Sequence, residues 1–267
     1  MSDPRVTPDP DRTGLNEAAQ IGRAVVNLLR KPNGARDRQL LLGADVTVLW
    51  REDGWAYVRS AADGYHGYVG VASLTQPQQI THKITAAASH GYQNANIKSI
   101  DRCALSHGSR LAALDEDEAF IRTTHGFIPK QHLGLVDDFE DDPAGIAALY
   151  LDAPYLWGGN SRWGIDCSGL VQAACHACGI ACPGDSDMQQ ESLGTLLPDG
   201  SIPQRNDLLF WDGHVAFVWD DDTLIHANGH DMAVVFETLE DALDRIEGQI
   251  TAHRRLDIAV EDTAFED

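Results

Sequence analysis

One cysteine and two histidines in the C-terminal half of the chain have the types and spacing that thiol chemistry requires. Cys167 lies in GIDCSGLVQAACHACG, where helical spacing begins at or just after the cysteine. Asp166 could cap that helix. A thiol at a helix N-terminus meets unpaired N–H groups and the positive end of the helix dipole, so we expect a lowered pKa. With His214 as its base, Cys167 could attack a carbonyl carbon.

The two histidines belong to a series of short apolar runs. DLLFW, HVAFVWD, TLIHAN and MAVVFE are divided by Asp and Gly turn signals, which predicts successive antiparallel strands. If the DDDT turn is centred near residues 220 to 221, His214 and His226 become direct cross-strand neighbours. His226 would then orient the imidazole of His214. Each residue alone is more simply structural, but the three together favour catalysis.

The elements around these residues predict several units. Residues 24–75 contain short apolar runs between Gly, Asp and Asn turns, which predicts a small all-β barrel, and residues 80–136 repeat that plan more faintly. The acidic segment DDFEDDPAG then indicates a domain boundary. We expect this order of units: an N-terminal arm at 1–20, barrels at 21–79 and 80–136, a linker at 137–145, a catalytic domain at 146–257 and an acidic tail at 258–267.

Composition restricts the partners and the compartment. The formal net charge of −21 would repel phosphate backbones, so nucleic acid is not an expected partner. No apolar run reaches about 18 residues and the first residues resemble no export signal, so neither membrane spanning nor secretion is expected. Five cysteines form an odd set, which fits free thiols in a reducing compartment. These features predict a cytoplasmic protein.

Three blocks in the catalytic half resemble the NlpC/P60 family of cysteine peptidases. They are PYLWGGNSRWGIDCSGLVQ, RNDLLFWDGHVAFV and LIHANGH, and the resemblance covers residues 143–257. GYHGYVGVASL and THGFIPKQHL ahead of them are similar to bacterial SH3-like domains. The resemblance implies an α+β fold, with a papain-like NlpC/P60 catalytic domain preceded by two small all-β SH3-like barrels.

The resemblance also implies roles for individual residues. Cys167 would be the nucleophile, His214 the base and His226 the orienting residue, with no cofactor and no metal. In the cytoplasmic branch of the family, Asp166 would accept the free α-amine of an L-Ala residue. Further candidates for substrate contacts are Tyr155, Trp157, Ser168, Asp185 and Ser186 in the catalytic domain, and Asp37, Tyr65 and Tyr68 in the first barrel.

The activity implied is hydrolysis of a small murein peptide between γ-D-Glu and a diamino acid, in cell-wall peptide recycling. Two alternatives stay open at this point. One is an amidase or acyl transferase on the same fold, because a fold alone does not fix the chemistry. The other is a non-catalytic protein that binds wall peptides through its SH3-like pair. A zinc site at Cys175, Cys178 and Cys182 is disfavoured, because no second ligand pair stands at zinc-finger separation.

Overall fold

The first all-β unit is a barrel-like sheet at the N-terminal end of the chain. The computed structural model describes residues 3–258, so the predicted acidic tail lies almost wholly outside the described residues. The sheet has the strand order β3-β2-β6-β5-β4-β1-β7, and its interior holds alternate apolar residues such as Val48, Val58 and Val69. Its strands are β1 (Glu17–Ile21), β2 (Val25–Leu29), β3 (Arg36–Leu41), β4 (Asp45–Glu52), β5 (Trp55–Ser60), β6 (His66–Gly70) and β7 (Leu74–Thr75).

The second all-β unit has a core of its own, to which the first unit contributes a side chain. Ile84, Leu105 and Ile128 pack together, and Leu42 from the end of β3 packs among them. Its two sheets have the orders β10-β9-β14-β13-β12 and β11-β8-β15. The strands are β8 (His82–Ile84), β9 (Ala88–Tyr92), β10 (Asp101–Ser106), β11 (Arg110–Leu111), β12 (Asp115–Glu116), β13 (Phe120–Thr123), β14 (Gly126–Pro129) and β15 (Leu133–Leu135).

The C-terminal unit is an antiparallel sheet with helices on both faces, in the order β18-β23-β19-β20-β21-β22. Leu170 and Val171 of α2 pack with Phe217 on one face, and Ala242 of α4 packs with Trp211 on the other. The elements are α1 (Pro143–Ala148), β16 (Asn160–Ser161), β17 (Gly164–Ile165), α2 (Cys167–Ala177), α3 (Ser186–Ser192), β18 (Thr195–Leu196), β19 (Asp207–Trp211), β20 (His214–Val218), β21 (Thr223–Asn228), β22 (Ala233–Thr238), α4 (Leu239–Arg245) and β23 (Ala252–Arg255). The four apolar runs thus form β19 to β22, as predicted.

Two elements begin earlier than the expected unit boundaries. Strand β1 begins at Glu17, inside the expected arm, because its residues pair with β4 from Glu17 to Gln20. Helix α1 begins at Pro143, inside the expected linker, and proline suits the first turn of a helix because the N–H it lacks would have no partner there. The arm is also docked, since Arg5 forms ion pairs with Asp185 and Asp187. None of the helices within residues 3–258 is long and apolar enough to cross a membrane.

Candidate active site

Cys167 is the first residue of α2, as the sequence predicts. Asp166 is the N-cap residue, and its Oδ1 accepts a hydrogen bond from the Gly169 N–H at 2.8 Å. The backbone N–H groups of Val215, Ser168 and Cys167 itself point toward the sulfur. Val215 follows His214 directly, so the thiol lies against the first residues of β20. Cys167 is buried, with 7% of its surface exposed.

The Cys167 thiol of the resting site does not have the lowered pKa that a helix N-terminus alone would give. Burial, followed by the nearby charge of Asp166, raises the pKa of Cys167 to about 12. The three N–H groups lower the pKa by less than burial raises it. The expectation of a lowered pKa is therefore wrong for the resting site, because burial destabilises the thiolate more than the N–H groups at the helix end stabilise it.

The two histidines contact each other, but from a different register than predicted. His214 Nε2 lies 2.9 Å from His226 Nδ1, and the ring centroids are 5.1 Å apart. Phe217 pairs with Ile225 and Val218 with Leu224. This register places His226 opposite Ala216, diagonal to His214, so the predicted direct pairing is wrong by two residues. The rings still meet because both project from the same face of the sheet.

Both imidazoles are neutral at rest. Burial first, and then the neighbouring imidazole of His226, lower the pKa of His214 to about 3. Burial likewise lowers the pKa of His226 to about 4, against the opposing effect of Glu237. Because Nε2 of His214 is engaged with His226, its Nδ1 remains as the atom that can accept a proton. A neutral imidazole with one nitrogen left to accept a proton suits a general base, and Val215, the residue after His214, contacts the sulfur of Cys167 through its N–H.

Asp166 is occupied by the chain itself. Its Oδ2 accepts from the Gly158 N–H at 2.6 Å, and its Oδ1 accepts from Gly169 and from the Ser168 hydroxyl. Only 8% of the residue is exposed. Both oxygens therefore hold the loop before α2 onto the helix, and the expected contact between Asp166 and a substrate amine stays a prediction.

Of three further expected residues, two lie beside the thiol and the third, Trp157, contacts the first barrel. Tyr155 lies beside Cys167 and Asp166; burial raises the pKa of its hydroxyl to about 12, with smaller contributions from those two groups. Ser168 is buried and bonded to Asp166. Trp157 is 55% exposed, and its carbonyl oxygen accepts from Arg36 Nε and Nη2 at 3.0 and 2.7 Å. The first barrel thus contacts the loop that carries Trp157.

A second polar group spans the boundary between the first barrel and the catalytic domain. The Tyr65 hydroxyl donates to Asp185 Oδ2 at 2.5 Å. Arg5 Nη1 donates to the same oxygen at 2.9 Å, and Arg38 Nη1 lies 3.7 Å from Oδ1. Burial first, and then Asp185, raise the pKa of Tyr65 well above its usual value, so the hydroxyl stays a donor. Ser186, the next residue, begins α3.

The other two barrel candidates are not brought to this group. Tyr68 packs against the Tyr57 ring at 5.0 Å and beneath the Arg12 guanidinium, inside a separate cluster. The carboxylate of Asp37 accepts from Arg30 Nε at 3.0 Å within its own hairpin. Only the backbone of Asp37 reaches the catalytic domain, where Gly158 at φ +69° leaves room for its carbonyl oxygen.

Sequence reasoning missed the group behind His226. Glu237 Oε2 lies 3.0 Å from His226 Nε2, and Arg245 Nε and Nη2 donate to the two oxygens of Glu237 at 2.7 and 2.5 Å. Glu237 is on β22 and Arg245 ends α4. No short motif joins a strand residue to a helix residue eight positions later, so only the register of β21 and β22 could have indicated this contact.

The remaining cysteines belong to the core. Cys175 and Cys182 contact each other, and both pack inside the cluster that holds α2 on the sheet. The five cysteines are free thiols. Within residues 3–258, no group of three or more His, Cys, Asp or Glu side chains is arranged to hold a metal ion.

Comparisons with known proteins agree with this geometry. Residues 152–245 match the NlpC/P60 family, and residues 28–74 match the bacterial dipeptidyl-peptidase Sh3 domain. A gamma-D-glutamyl-L-lysine dipeptidyl-peptidase of Bacillus cereus is 27% identical over 225 residues, which cover 72% of this chain and 67% of the relative. Dipeptidyl-peptidase 6 of Lysinibacillus sphaericus is 28% identical over 218 residues, covering 71% and 79%.

The fold agrees as well. The crystal structure of an NlpC/P60 family protein from Bacillus cereus superposes with a TM-score of 0.77 at 22% identity, covering 90% of this chain and 99% of that one. The expected architecture, an NlpC/P60 catalytic domain behind SH3-like β structure, is thereby confirmed. Residues 152–245 therefore form an NlpC/P60 domain behind an SH3 domain of the bacterial dipeptidyl-peptidase type, and this domain pair and the named relatives support a peptidase.

Proposed function

We propose that this peptidase hydrolyses the bond between γ-D-Glu and a diamino acid in murein peptides that begin with a free L-Ala. The observation that carries the proposal is the Tyr65–Asp185 pair, in which a carboxylate from the catalytic domain is held by a hydroxyl from the barrel. A partly exposed carboxylate at that boundary is a suitable partner for a protonated amine. The relatives named gamma-D-glutamyl-L-lysine dipeptidyl-peptidase and dipeptidyl-peptidase 6 support the same substrate class.

The position of Asp185 supports a substrate read from its amino end. Gln189 Nε2 donates to the Ser168 carbonyl at 2.9 Å, which holds α3 against the first turn of α2. Asp185 precedes Gln189 by four residues, about 6 Å along the helix axis. An amine bound at Asp185 is thereby kept close to the turn that carries Cys167. Cleavage a short, fixed distance from the N-terminus follows from such an arrangement.

The chemistry requires one proton transfer at each stage. His214 Nδ1 accepts the proton of the Cys167 thiol as the sulfur attacks the γ-glutamyl carbonyl carbon. The N–H groups at the start of α2 stabilise the negative oxygen of the tetrahedral intermediate. The imidazolium then gives its proton to the leaving amine of the diamino acid. Water, deprotonated by His214, hydrolyses the thioester and restores the thiol.

The cellular setting is part of the proposal. We place the enzyme in the cytoplasm, acting on murein peptides that are being recycled. The free state of all five cysteines and the negative net charge support this setting. Cell fractionation with an antibody against the chain tests it, and recovery outside the cytoplasmic fraction would contradict it.

The activity test uses a defined peptide and a matched blocked peptide. Purified protein is incubated with L-Ala-γ-D-Glu-meso-diaminopimelate, with L-Ala-γ-D-Glu-L-Lys and with their N-acetylated forms, and the products are identified by mass spectrometry. We expect release of L-Ala-γ-D-Glu from the free peptides only, and none with Cys167→Ala. Equal cleavage of blocked and free peptides would refute the proposed amine recognition, and undiminished turnover by Cys167→Ala would refute the nucleophile.

A further inference from the structure

A buried chain of polar contacts continues from the histidine pair, along the same face of the sheet, to α4. His226 is fully buried and uses both ring nitrogens, with Nδ1 at 2.9 Å from His214 Nε2 and Nε2 at 3.0 Å from Glu237 Oε2. Arg245 holds both oxygens of Glu237. Leu224 pairs with Glu237 and His226 with Val235, so Glu237 reaches His226 from the diagonal position on the same face.

A second group competes for the same nitrogen. Asn228 Nδ2 lies 3.0 Å from His226 Nε2, and this amide is oriented by Asp231, whose Oδ2 accepts from Nδ2 at 2.9 Å and whose N–H donates to Oδ1 at 2.7 Å. Nε2 carries either one proton or one lone pair. With a proton it donates to Glu237, and with a lone pair it accepts from Asn228.

These two states have opposite consequences for His214. When His226 carries its proton on Nε2, its Nδ1 accepts from His214 Nε2–H, and His214 Nδ1 is left with a lone pair. When His226 carries the proton on Nδ1, it donates to His214 Nε2, which moves the proton of His214 to Nδ1. Only the first state leaves Nδ1 of His214, which does not contact His226, with a lone pair that can accept a proton.

We propose that Glu237, held by Arg245, is a positioning residue that selects the base-competent tautomer of His226 and, through it, of His214. A hydrogen bond to an ionised carboxylate is about twice as strong as one between neutral groups, so the contact with Glu237 prevails over the one with Asn228. Arg245 lowers the pKa of Glu237 and keeps it ionised. The proposal rests on the proposed function and extends it, because it says what keeps the proposed base, His214, in the tautomer that can accept a proton.

The surrounding charges also bear on the imidazolium that forms during turnover. His226 faces Glu237 from β22, Arg245 from α4, Asp231 from the β21–β22 loop and the ring of His214 from β20. The proton taken up in turnover lies on His214, where Glu237 favours the positive charge and Arg245 opposes it. Loss of the Glu237 carboxylate would therefore destabilise the imidazolium. It would also remove the preference of His226 for the tautomer protonated on Nε2.

The first test reads the tautomer without any substrate, so it stands even if the proposed peptide is not cleaved. In protein labelled with ¹⁵N-histidine, long-range ¹H–¹⁵N spectra at neutral pH should show protons on Nε2 of both His226 and His214. In Glu237→Ala, His226 should shift in part or wholly to Nδ1–H. A native His226 protonated on Nδ1, or an unchanged tautomer in Glu237→Ala, would overturn the proposal.

The second test measures turnover in three variants. We expect kcat to fall roughly 10-fold in Glu237→Gln, which keeps an acceptor oxygen but no charge, and roughly 100-fold in Glu237→Ala, with KM little changed. Glu240→Gln removes the same charge from an exposed site on α4 and should behave as the native enzyme. Because Glu237→Gln keeps the size of the side chain, it remains informative if the alanine variant unfolds. A native kcat in Glu237→Gln with an unchanged His226 spectrum in the same variant would refute the role.

Discussion

The two ends of the candidate site are built in different ways. The thiol end, which consists of Cys167, His214 and His226, comes from one helix and two adjacent strands of a single domain. The acidic end, which consists of Asp185 and Tyr65, joins residues 120 positions apart from two domains, and Arg5 reaches it from 180 positions away. Chemistry is therefore held by one domain, whereas the proposed recognition depends on how two domains and the arm pack together.

A change at the thiol end should abolish turnover and spare recognition. We expect His214→Ala to lower kcat by at least about 10³-fold, because the thiol loses its base, with KM little changed. His230→Ala is the matched control, since His230 is an exposed turn residue, and it should keep full activity. Steady-state kinetics on the free tripeptide measures both. A large rise in KM with kcat preserved would show that His214 serves the acidic end instead.

The protonation state of the thiol end can be read by alkylation. Because the pKa of Cys167 is raised to about 12 and that of His214 is lowered to about 3, the resting pair is a neutral thiol and a neutral imidazole from about pH 4 upward. The thiolate fraction then rises tenfold per pH unit, so the rate of iodoacetamide labelling should increase about 100-fold from pH 7 to pH 9. Cys167→Ala gives the background from the other thiols. A rate that is level across this range would show a thiolate–imidazolium pair instead.

A change at the acidic end should affect free peptides alone. Asp185→Asn removes the charge that an amine would meet, and we expect kcat/KM for the free tripeptide to fall roughly 10- to 100-fold. The N-acetylated peptide, already a poor substrate, should be unaffected. Asp187→Asn provides the control, because Asp187 binds Arg5 but has no contact with Tyr65. Equal losses on both peptides would mean that Asp185 supports the fold rather than recognition.

The smallest effect concerns the arm. Arg5 occupies Asp185 Oδ2, the oxygen that also accepts from Tyr65, so a substrate amine must compete with it. Partly exposed ion pairs are worth about 0.2–1 kcal/mol, so Arg5→Ala should lower KM for the free tripeptide by at most about fivefold. Arg12→Ala is the control, because it removes a guanidinium that lies over the Tyr68 ring. A higher KM in Arg5→Ala would show that the arm helps to build the acidic end.

Most of the thiol end was predicted from local patterns in the sequence. An N-cap aspartate before a helical period placed Cys167 at the start of α2, and alternating apolar runs placed both histidines on adjacent strands. The register was wrong by two residues because the length of the turn, and not its composition, decides which residues face each other. The lowered thiol pKa was wrong because burial depends on the packing of β20 over the helix end.

The acidic end was predicted less well because it depends on docking. Tyr65 and Tyr68 lie three residues apart in the same Gly- and Tyr-rich turn and strand, yet only Tyr65 meets the catalytic domain. Asp166 and Asp185 are both helix N-cap residues, yet Asp166 gives both oxygens to its own backbone. Which carboxylate bonds to its own backbone and which to the barrel could not be read from either motif.

The sequence by itself determined the positions of Cys167, His214 and His226 on their helix and strands, the order of β19 to β22, and the family resemblance. These follow from periodicity and capping, which act over a few residues. The tertiary structure decided the ionisation of the thiol, the contact of Asp185 with Tyr65, and the contact of Glu237 with His226. Those properties depend on desolvation and on distances between residues far apart in the chain, and both are set only when the domains have packed.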